Sequence, residues 1–336
     1  MHGNRVALGA AATLLGVVLW AVPGAVTSAA VGRVVADPSG SAAQPVNPSA
    51  LPLGDGRLST SPKVGYLDSC QTSFPSTGGA QVVGPWINTA AKTWNSTAKV
   101  KVEGTVSWPN ASFSVTRSGG KRVIKTNDLP NHPTGVFPVS SSDPAAAYDL
   151  NPNRIAAQSI TWTLPANPSA ASKPSCLSGG AIGVLTDGAM LYDALDGEGR
   201  DAVAHEILDS CDGHPDQSDT YHHHDVPSCI LDAATGRSTL VGYAKDGYGI
   251  YVERDADGTL LTNASLDACH GRTTSVTWNG KKKVLYHYDA TLEYPYTVGC
   301  YHGTPITTAQ GGGGSAKNAG LGGPPGGGPG GPPGAP

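Results

Sequence analysis

A pattern that occurs twice in the second half of the chain restricts the possible folds more than any other feature. One copy spans residues 183–229 and the other spans residues 242–300. Both contain, in the same order, an Asp-Gly pair, a tyrosine, a Leu-Asp-x-Cys stretch, a glycine, a Tyr-His pair and a final cysteine. The aspartates of the first and third landmarks are 22 residues apart in the first copy and 21 in the second. We interpret the pattern as a duplicated unit whose halves pack about a pseudo-twofold axis.

Composition and local patterns predict β structure. The chain of 336 residues contains 45 Gly and 27 Pro, and only 14% of its residues are charged, which is typical of a turn-rich β protein. Residues 99–109 alternate like a half-exposed strand, residues 112–130 suggest two strands around a Gly-Gly turn, and residues 154–165 suggest another strand. A helix is predicted at residues 199–211, with Asp201 in its first turn. We therefore expect a mainly antiparallel, β-sandwich-like fold with few short helices.

The two ends of the chain are expected to lie outside the folded domain. An arginine near the start precedes an apolar run from Val6 to Val22 and then small residues, which is the order of a secretory signal with cleavage between residues 29 and 36. An uncleaved membrane anchor is the alternative, and we expect no membrane span in the mature chain. The composition predicts a signal peptide at residues 1–36, a flexible lead-in at 37–63, a folded domain at 64–309 and a disordered Gly/Pro-rich tail at 310–336.

Six cysteines in a chain with an export signal predict three disulfide bonds. Each copy of the repeat has one cysteine before its Tyr-His pair and one after it, so the economical pairing joins cysteines within a copy. The predicted bonds are Cys211–Cys229, Cys269–Cys300 and Cys70–Cys176. A rival interpretation uses Cys211, His214, a following histidine and Cys229 as a Cys₂His₂ zinc site. Export and the even number of cysteines favour the disulfide bonds.

The stretch TYHHHDVPSC, at residues 220–229, contains three adjacent histidines. Residues two apart in an extended chain point to the same face, so His222 and His224 form a pair and His223 points away from them. The second copy has His287 and Asp289 at the corresponding positions. If the copies meet near the axis, three imidazoles and one carboxylate converge. That ligand set suits Zn²⁺, Cu²⁺ or non-haem iron.

Other residues near these motifs are weaker candidates. His214 lies close to the first motif and is a further candidate metal ligand, although the second copy has Arg272 at its position. Tyr221, Tyr286 and Tyr288 are expected to hold the imidazole rings from outside the ligand set. Two alternatives stay open for the histidines: a hydrogen-bonded structural core, and metal-free catalysis with a histidine as general base.

Several functional classes find no support in the sequence. The net charge of −4 gives no electrostatic reason to expect nucleic acid as a partner. His205-Glu206 begins like the zinc-protease motif HExxH, but Asp209 stands where the second histidine should be. The chain has no GxSxG elbow and no phosphate-binding glycine loop. Asp209 and its counterpart Asp267 are expected either to accept backbone hydrogen bonds at a turn or to serve the site as carboxylates.

These motifs resemble those of the bacterial YHYH-domain proteins, a family named for that tetrapeptide. The likeness rests on the Tyr-His motifs, on LYHYDATLEYPYTVGC at residues 285–300, and on TNDLPNHPTGVFP and NPNRIAAQSITWTLPANP at residues 126–138 and 151–168. It covers roughly residues 100–303. The family is mostly secreted and has no established reaction, so the resemblance implies a shared fold and says little about mechanism.

The resemblance adds His132 as a further candidate metal ligand, because it lies between prolines in one of the shared segments. The chain also departs from the family tetrapeptide, which becomes YHHH at residues 221–224 and YHYD at residues 286–289. The first change keeps the two histidines of one face. The second replaces an imidazole with a carboxylate, which argues against a symmetric site of four histidines.

Our first hypothesis for function is therefore an exported, disulfide-stabilised domain that binds a transition metal. A metal with an open coordination position could activate water, so a secreted hydrolase is a further alternative and enzymatic activity is left undecided. The second hypothesis is an extracellular structural or ligand-binding module with a non-metal His/Tyr core, whose partner is an extracellular or cell-wall ligand. Exposure of the histidines in an open cleft would favour the first hypothesis, and full enclosure would favour the second.

Overall fold

The computed structural model of the protein describes residues 46–76 and 78–307. The predicted signal peptide and Gly/Pro-rich tail lie outside the described residues. Within them, strands predominate, most strand pairs are antiparallel and the two α-helices are short, so the predicted mainly β fold is confirmed. Neither helix in this part of the chain has the length and apolar character that crossing a bilayer requires.

The described residues form 18 strands, two α-helices and three 3-10 turns. The strands are β1 (Leu51–Pro52), β2 (Leu58–Ser59), β3 (Leu67–Asp68), β4 (Ile87–Asn88), β5 (Thr93–Trp94), β6 (Phe113–Ser118), β7 (Lys121–Thr126), β8 (Ile160–Pro165), β9 (Ala170–Ser175), β10 (Ala181–Leu185), β11 (Met190–Tyr192), β12 (Gly213–Pro215), β13 (Tyr221–His223), β14 (Ser238–Ala244), β15 (Gly249–Glu253), β16 (Gly271–Trp278), β17 (Lys281–Asp289) and β18 (Tyr301–Gly303). The helices are α1 (Ala202–His205) and α2 (Ser228–Ala233), and the 3-10 turns are Pro48–Ala50, Pro144–Ala147 and Asn263–Ser265.

The two copies of the repeat build one eight-stranded sheet, with four strands from each copy. Its order is β12-β13-β11-β10-β14-β15-β17-β16. The antiparallel pair β10–β14 lies at the centre. On both sides of it an antiparallel hairpin is followed by a parallel pair and then by an antiparallel pair. The strand order is what a duplicated unit would produce, and the pseudo-twofold axis itself stays a prediction.

A three-stranded sheet, β6-β7-β8, packs on one face of the large sheet. Strand β8 alternates between buried and exposed residues, as the period of two in a half-buried strand requires. Its buried Trp162 and Leu164 share a core with Tyr243 and Trp278 of the large sheet. This layered arrangement accords with the β-sandwich-like prediction, and it places the β6–β7 hairpin beside the β16–β17 hairpin.

The Gly-Gly turn predicted within residues 112–130 is confirmed. Strands β6 and β7 pair in register from Phe113–Thr126 to Ser118–Lys121. Gly119 and Gly120 between them have φ angles of +56° and +76°, a conformation that glycine adopts without steric cost and that suits the twist of a hairpin.

Two local predictions were wrong in extent. Residues 99–109 form isolated bridges at Val102 and Val106 instead of a strand, because Gly104 has a φ of +102° and interrupts the pleat. The predicted helix at 199–211 is reduced to α1, although Asp201 caps it through a hydrogen bond from the backbone N–H of Ala204. At Glu206 the backbone turns extended, so the remaining residues leave the helix.

Part of the predicted flexible lead-in belongs to the fold. Strand β1 pairs with β5, and Leu51 and Leu53 are buried in the larger hydrophobic core. Nearby, a carboxylate oxygen of Asp55 lies 2.9 Å from Nε2 of His205. The segment was predicted to be flexible because it is rich in Pro and Ser. Burial of its two apolar side chains nevertheless stabilises an ordered backbone.

The structure contains the three predicted disulfide pairs. Their Cα atoms are 5.1, 5.4 and 4.5 Å apart for Cys70–Cys176, Cys211–Cys229 and Cys269–Cys300, which are normal distances for a disulfide bond. No cysteine is free. The rival Cys₂His₂ zinc site is therefore wrong, because Cys211 and Cys229 offer no thiolate.

Candidate metal centre

The four residues expected to form one site lie in two separate places. His222 lies on β13 and His287 on β17, and four strands of the large sheet separate them. Since neighbouring strands are about 4.8 Å apart, the two motifs are roughly 24 Å apart across the sheet. A single site of His222, His224, His287 and Asp289 does not form, and each copy of the repeat builds its own cluster.

The first group, called the histidine cluster below, consists of Glu206, His214, His222 and His224. Strands β12 and β13 pair so that His214 lies opposite His222, and His224 follows directly after β13. Glu206 is the residue that ends α1. The four residues are buried, with at most 7% of the surface of each exposed.

The donor atoms of this cluster converge. The ligating nitrogens of the three histidines lie within 4.8 Å of one another, and Nε2 of His214 is 3.4 Å from Nε2 of His224. Oε2 of Glu206 is 3.1 and 3.0 Å from these two nitrogens, yet it has no partner with hydrogen-bond geometry in the described part of the chain. Ligand atoms around a tetrahedral zinc ion are roughly 3.3 Å apart when the bonds are about 2.0 Å long. The separations among His214, His224 and Glu206 match this value, and the nitrogen of His222 lies within 4.8 Å of the other two nitrogens.

Backbone carbonyl groups orient two of the rings. Nδ1 of His222 lies 3.2 Å from the carbonyl oxygen of Thr220, and Nδ1 of His224 lies 2.5 Å from that of Asp193. A neutral ring that donates from Nδ1 has its lone pair at Nε2, as a metal ligand requires. Tyr192 stacks on His222 with 3.9 Å between the ring centroids and restricts it further.

The charges in this cluster favour a cation. Burial, together with the rings of His214 and His224, holds the pKa of His222 well below its usual value, so the ring is neutral at pH 7. Burial would lower the pKa of His224 too, but the carboxylate of Glu206 raises it. Burial would raise the pKa of Glu206, yet His214 and His224 hold it well below its usual range. An ionised carboxylate thus lies among imidazoles in a buried site.

The second group, called the arginine cluster below, consists of Glu253, Arg272, His287 and Asp289. Arg272 lies opposite His287 on the neighbouring strand, as His214 lies opposite His222. Its Nη2 is 2.5 Å from Oε2 of Glu253, and its Nε is 3.7 Å from Oδ2 of Asp289. Nε2 of His287 is 3.3 Å from Glu253 and 3.6 Å from Asp289. Although these three residues also have metal-ligand spacing, a permanent cation already neutralises the carboxylates.

The tyrosines of the two motifs bind carboxylates and do not hydrogen-bond to the imidazole rings that they were predicted to hold. The hydroxyl of Tyr221 donates to Asp209 at 2.9 Å, and that of Tyr286 donates to Asp267 at 3.1 Å. Both aspartates also accept backbone N–H groups of their own turns, from Cys211 and Gly213 in the first copy and from Cys269 and Gly271 in the second. The turn role expected for Asp209 and Asp267 is confirmed.

The third position of each motif reaches the aspartate of the Asp-Gly pair. Tyr288 donates to Asp246 at 2.5 Å, and Nε2 of His223 lies 3.0 Å from Oδ2 of Asp187. His223 is fully buried and replaces the tyrosine of the other copy. His223 thus points away from His222 and His224, as predicted, and has a partner of its own in Asp187.

His132 joins Asp187 and not the histidine cluster. Its Nε2 lies 3.1 Å from Oδ2 of Asp187 and its Nδ1 lies 3.0 Å from the carbonyl oxygen of Pro133. Both ring nitrogens therefore lie within hydrogen-bond distance of an oxygen atom, and His132, Asp187 and His223 form a third group with metal-ligand spacing. His223 has the same arrangement, and although burial opposes its charge, Asp187 raises its pKa to about 9.

His270, which follows Cys269 in the second copy of the repeat, belongs to neither cluster. It is buried, its Nε2 lies 3.1 Å from the hydroxyl of Thr291, and burial lowers its pKa to about 3 from 6.5. Below pH 6.5 the unfolded chain therefore binds a proton at His270 that the folded chain does not. We expect this residue to lower the free energy of unfolding by on the order of 3 kcal/mol between pH 7 and pH 4.

The measurement is urea unfolding at both pH values for the wild type and His270→Asn. Asparagine tolerates the φ of +68° at this position and does not titrate. The acid-induced loss of stability should be smaller in the variant by that amount. An equal loss in both proteins would show that His270 is not the acid-sensitive group.

Sequence reasoning missed three residues of the clusters. Glu206 and Glu253 are 8 and 34 residues away in sequence from the nearest histidines of their own clusters, and no periodicity connects them. Arg272 was noted only as a difference from His214. That difference between the aligned copies was the one available signal that their sites are not alike.

Comparisons with known proteins add one relationship. No curated protein and no solved structure shows significant similarity to this chain. Residues 161–260 match the family model described as YHYH protein. The matched segment begins in β8 and contains the whole histidine cluster, whereas β16 and β17 lie beyond it. On this match, the chain is a YHYH domain-containing protein.

Proposed function

We propose that this protein is an exported domain that binds one divalent transition-metal ion in the histidine cluster. The observation that supports the proposal is the spacing of the donor atoms: three imidazole nitrogens lie within 4.8 Å of one another, and a carboxylate oxygen of Glu206, without a hydrogen-bond partner among the described residues, lies within 3.1 Å of two of them. Imidazole ligands suit zinc, copper and iron. Zn²⁺ fits best, because it accepts four nitrogen and oxygen ligands in a tetrahedral arrangement.

The proposed role of the ion is structural. Glu206, His214, His222 and His224 together fill the four positions of a tetrahedral site, so no position is left for water or substrate. The cluster is also buried, as a closed site should be. The ion would connect the end of α1 to β12 and β13, and this closed arrangement favours binding over hydrolysis.

Export is the second part of the proposal. Three disulfide bonds join all six cysteines, and disulfide bonds form and persist in oxidising compartments. The signal-like order of the first residues agrees with that location.

The test is the metal content of the full chain, purified without an affinity tag and incubated with Zn²⁺, Cu²⁺ or Fe²⁺ before exhaustive dialysis. Elemental mass spectrometry should find about one ion per chain in the wild type. His222→Gln should bind almost none. His287→Gln is the matched control, because it changes the equivalent residue of the arginine cluster, and it should bind as much as the wild type.

Two outcomes would contradict this proposal. If neither the wild type nor His287→Gln binds any of the three ions, the histidine cluster is a hydrogen-bonded core. If His287→Gln loses the ion together with His222→Gln, the two clusters depend on each other and the assignment of ligands is wrong.

A further inference from the structure

A groove lined by cations lies between the β6–β7 and β16–β17 hairpins. It consists of a cavity of about 440 Å³ and a second one of about 400 Å³, which share Arg117 and Asn279 in their walls. Lys121, Lys281 and Lys283 line the second cavity. We call the two cavities together the basic groove. No residue of the histidine cluster or the arginine cluster lines it.

A buried arginine without a carboxylate partner lines this groove. Arg122 is 1% exposed, and no Asp or Glu oxygen of the described residues lies within 4.0 Å of its guanidinium group. The group stacks between aromatic rings, 4.1 Å from the ring centroid of Trp278 and 4.5 Å from that of Tyr243. It donates to Asn279 at 2.7 Å and to three backbone carbonyl oxygens at 3.5 Å, while its Nε has no partner among the described residues. Stacking offsets part of the cost of burying this charge, but a counter-ion is missing.

The surroundings of Arg122 are also strongly positive. Apart from Arg272 of the arginine cluster, the two hairpins contain seven of the 22 Lys and Arg residues of the chain: Arg117, Lys121, Arg122, Lys125, Lys281, Lys282 and Lys283. Residues 104–127, 150–186 and 268–288 contain no Asp or Glu. In the described part of the chain, none of the seven cations forms an ion pair. The local potential is therefore positive although the whole chain has a net charge of −4.

We propose that the basic groove binds an anionic saccharide, a sugar chain that carries carboxylate or sulfate groups, with Arg122 as the counter-charge for one of these groups. A stacked guanidinium recognises such planar or tetrahedral oxyanions well. The hydroxyl and amide groups of Ser238, Thr239 and Asn279 in the wall can bind sugar hydroxyls. Tyr243 and Tyr251 offer aromatic surface, and the volume far exceeds that of one inorganic anion.

The experiment measures binding of four probes to the full chain by isothermal titration calorimetry. The probes are a sulfated heparin hexasaccharide, hexagalacturonate, neutral maltohexaose and inorganic phosphate. At least one anionic hexasaccharide should bind, and which of the two binds more tightly distinguishes sulfate from carboxylate recognition. Maltohexaose and phosphate should not bind measurably at the same concentrations.

Exposed lysines of the groove provide the first variant. In Lys281→Ser/Lys283→Ser, the affinity for the anionic hexasaccharide should fall by about tenfold or more, since two exposed charges that face the ligand are lost. Lys173→Ser is the matched control, because Lys173 is an exposed lysine on a strand and lines neither cavity. It should bind like the wild type.

Arg122→Met tests the buried charge and should abolish binding while the protein stays folded by circular dichroism. If this variant does not fold, the double lysine variant decides.

The proposal is overturned if neither anionic hexasaccharide binds, or if phosphate binds as tightly as they do. It is also overturned if a single-stranded DNA oligonucleotide binds more tightly than either, or if Lys173→Ser weakens binding as much as the double variant. None of these outcomes depends on metal content, so this proposal can fail independently of the metal proposal.

Discussion

Removing the proposed metal ion with a chelator is expected to lower the free energy of unfolding by about 4 kcal/mol, when the free ion had been present at about 1,000 times its dissociation constant. The expectation follows from the separation of the ligands in sequence. Glu206 directly follows α1, whereas His214 lies on β12 and His222 on β13, and only the folded chain brings them together. An ion that binds the folded chain alone shifts the folding equilibrium by its full binding free energy.

The measurement compares urea unfolding of the full chain with and without chelator under non-reducing conditions, so that the disulfide bonds stay intact. His222→Gln should unfold at the same urea concentration in both conditions, since it has no ion to lose. His287→Gln should respond to the chelator like the wild type. A wild type that contains the ion but shows no response to its removal would exclude the structural role.

Replacing Asp209 with alanine is expected to destabilise the protein more than replacing Asp267, the equivalent residue of the second Leu-Asp-x-Cys turn. Asp209 is fully buried and accepts hydrogen bonds from the hydroxyl of Tyr221 and from the backbone N–H groups of Gly135, Cys211 and Gly213. Asp209→Ala leaves these donors without a partner inside the protein. We expect the free energy of unfolding to fall by about 4 kcal/mol, because buried unsatisfied donors cost about 1–3 kcal/mol each and share any water that enters.

Asp267→Ala is the matched control for this change. Asp267 accepts the equivalent bonds from Tyr286, Cys269 and Gly271, but it is exposed, so water can replace the lost partner. The loss should be about 1 kcal/mol. Urea unfolding of both variants checks the comparison, and similar losses at the two positions would contradict it.

Much of the fold was accessible from the sequence because the signals were local. Two glycines with positive φ define the β6–β7 hairpin, and alternation in residues 160–165 defines a half-buried strand. Two of the cysteine pairs followed from the order of landmarks within each copy, and the third joins the two cysteines that remain. Such features depend on neighbours in the chain, and tertiary structure did not override them.

Local sequence signals did not predict which residues come together in the two clusters. The prediction of one shared site assumed that the Tyr-His strands lie beside the axis, but β10 and β14 occupy the centre of the sheet. Each Tyr-His strand is therefore third from the centre, because the parallel pairing of β11 with β13, and of β15 with β17, places it outside its hairpin. Period-two alternation correctly paired His222 with His224, whereas Glu206 depended on where a helix ended.

The same alternation divides the family tetrapeptide into two interleaved pairs. The first and third residues bind the aspartates of the turns, as Tyr221 and His223 do. The second and fourth residues point to the cluster, as His222 and His224 do. Substitution of histidine for tyrosine at the third position preserves a donor to an aspartate. Substitution of Asp289 for histidine at the fourth position changes the chemistry of the site.

The guanidinium group of Arg272 makes the two margins of the large sheet differ in their dependence on a metal ion. At the β16 margin the cation is the side chain of Arg272, which is part of the chain. At the opposite margin, His214 of β12 would depend on a metal ion from the surroundings. When metals are scarce, the β12–β13 margin should loosen first while the β16–β17 margin keeps its structure. A change in metal supply would then alter the structure of one half of the sheet and leave the other half unchanged.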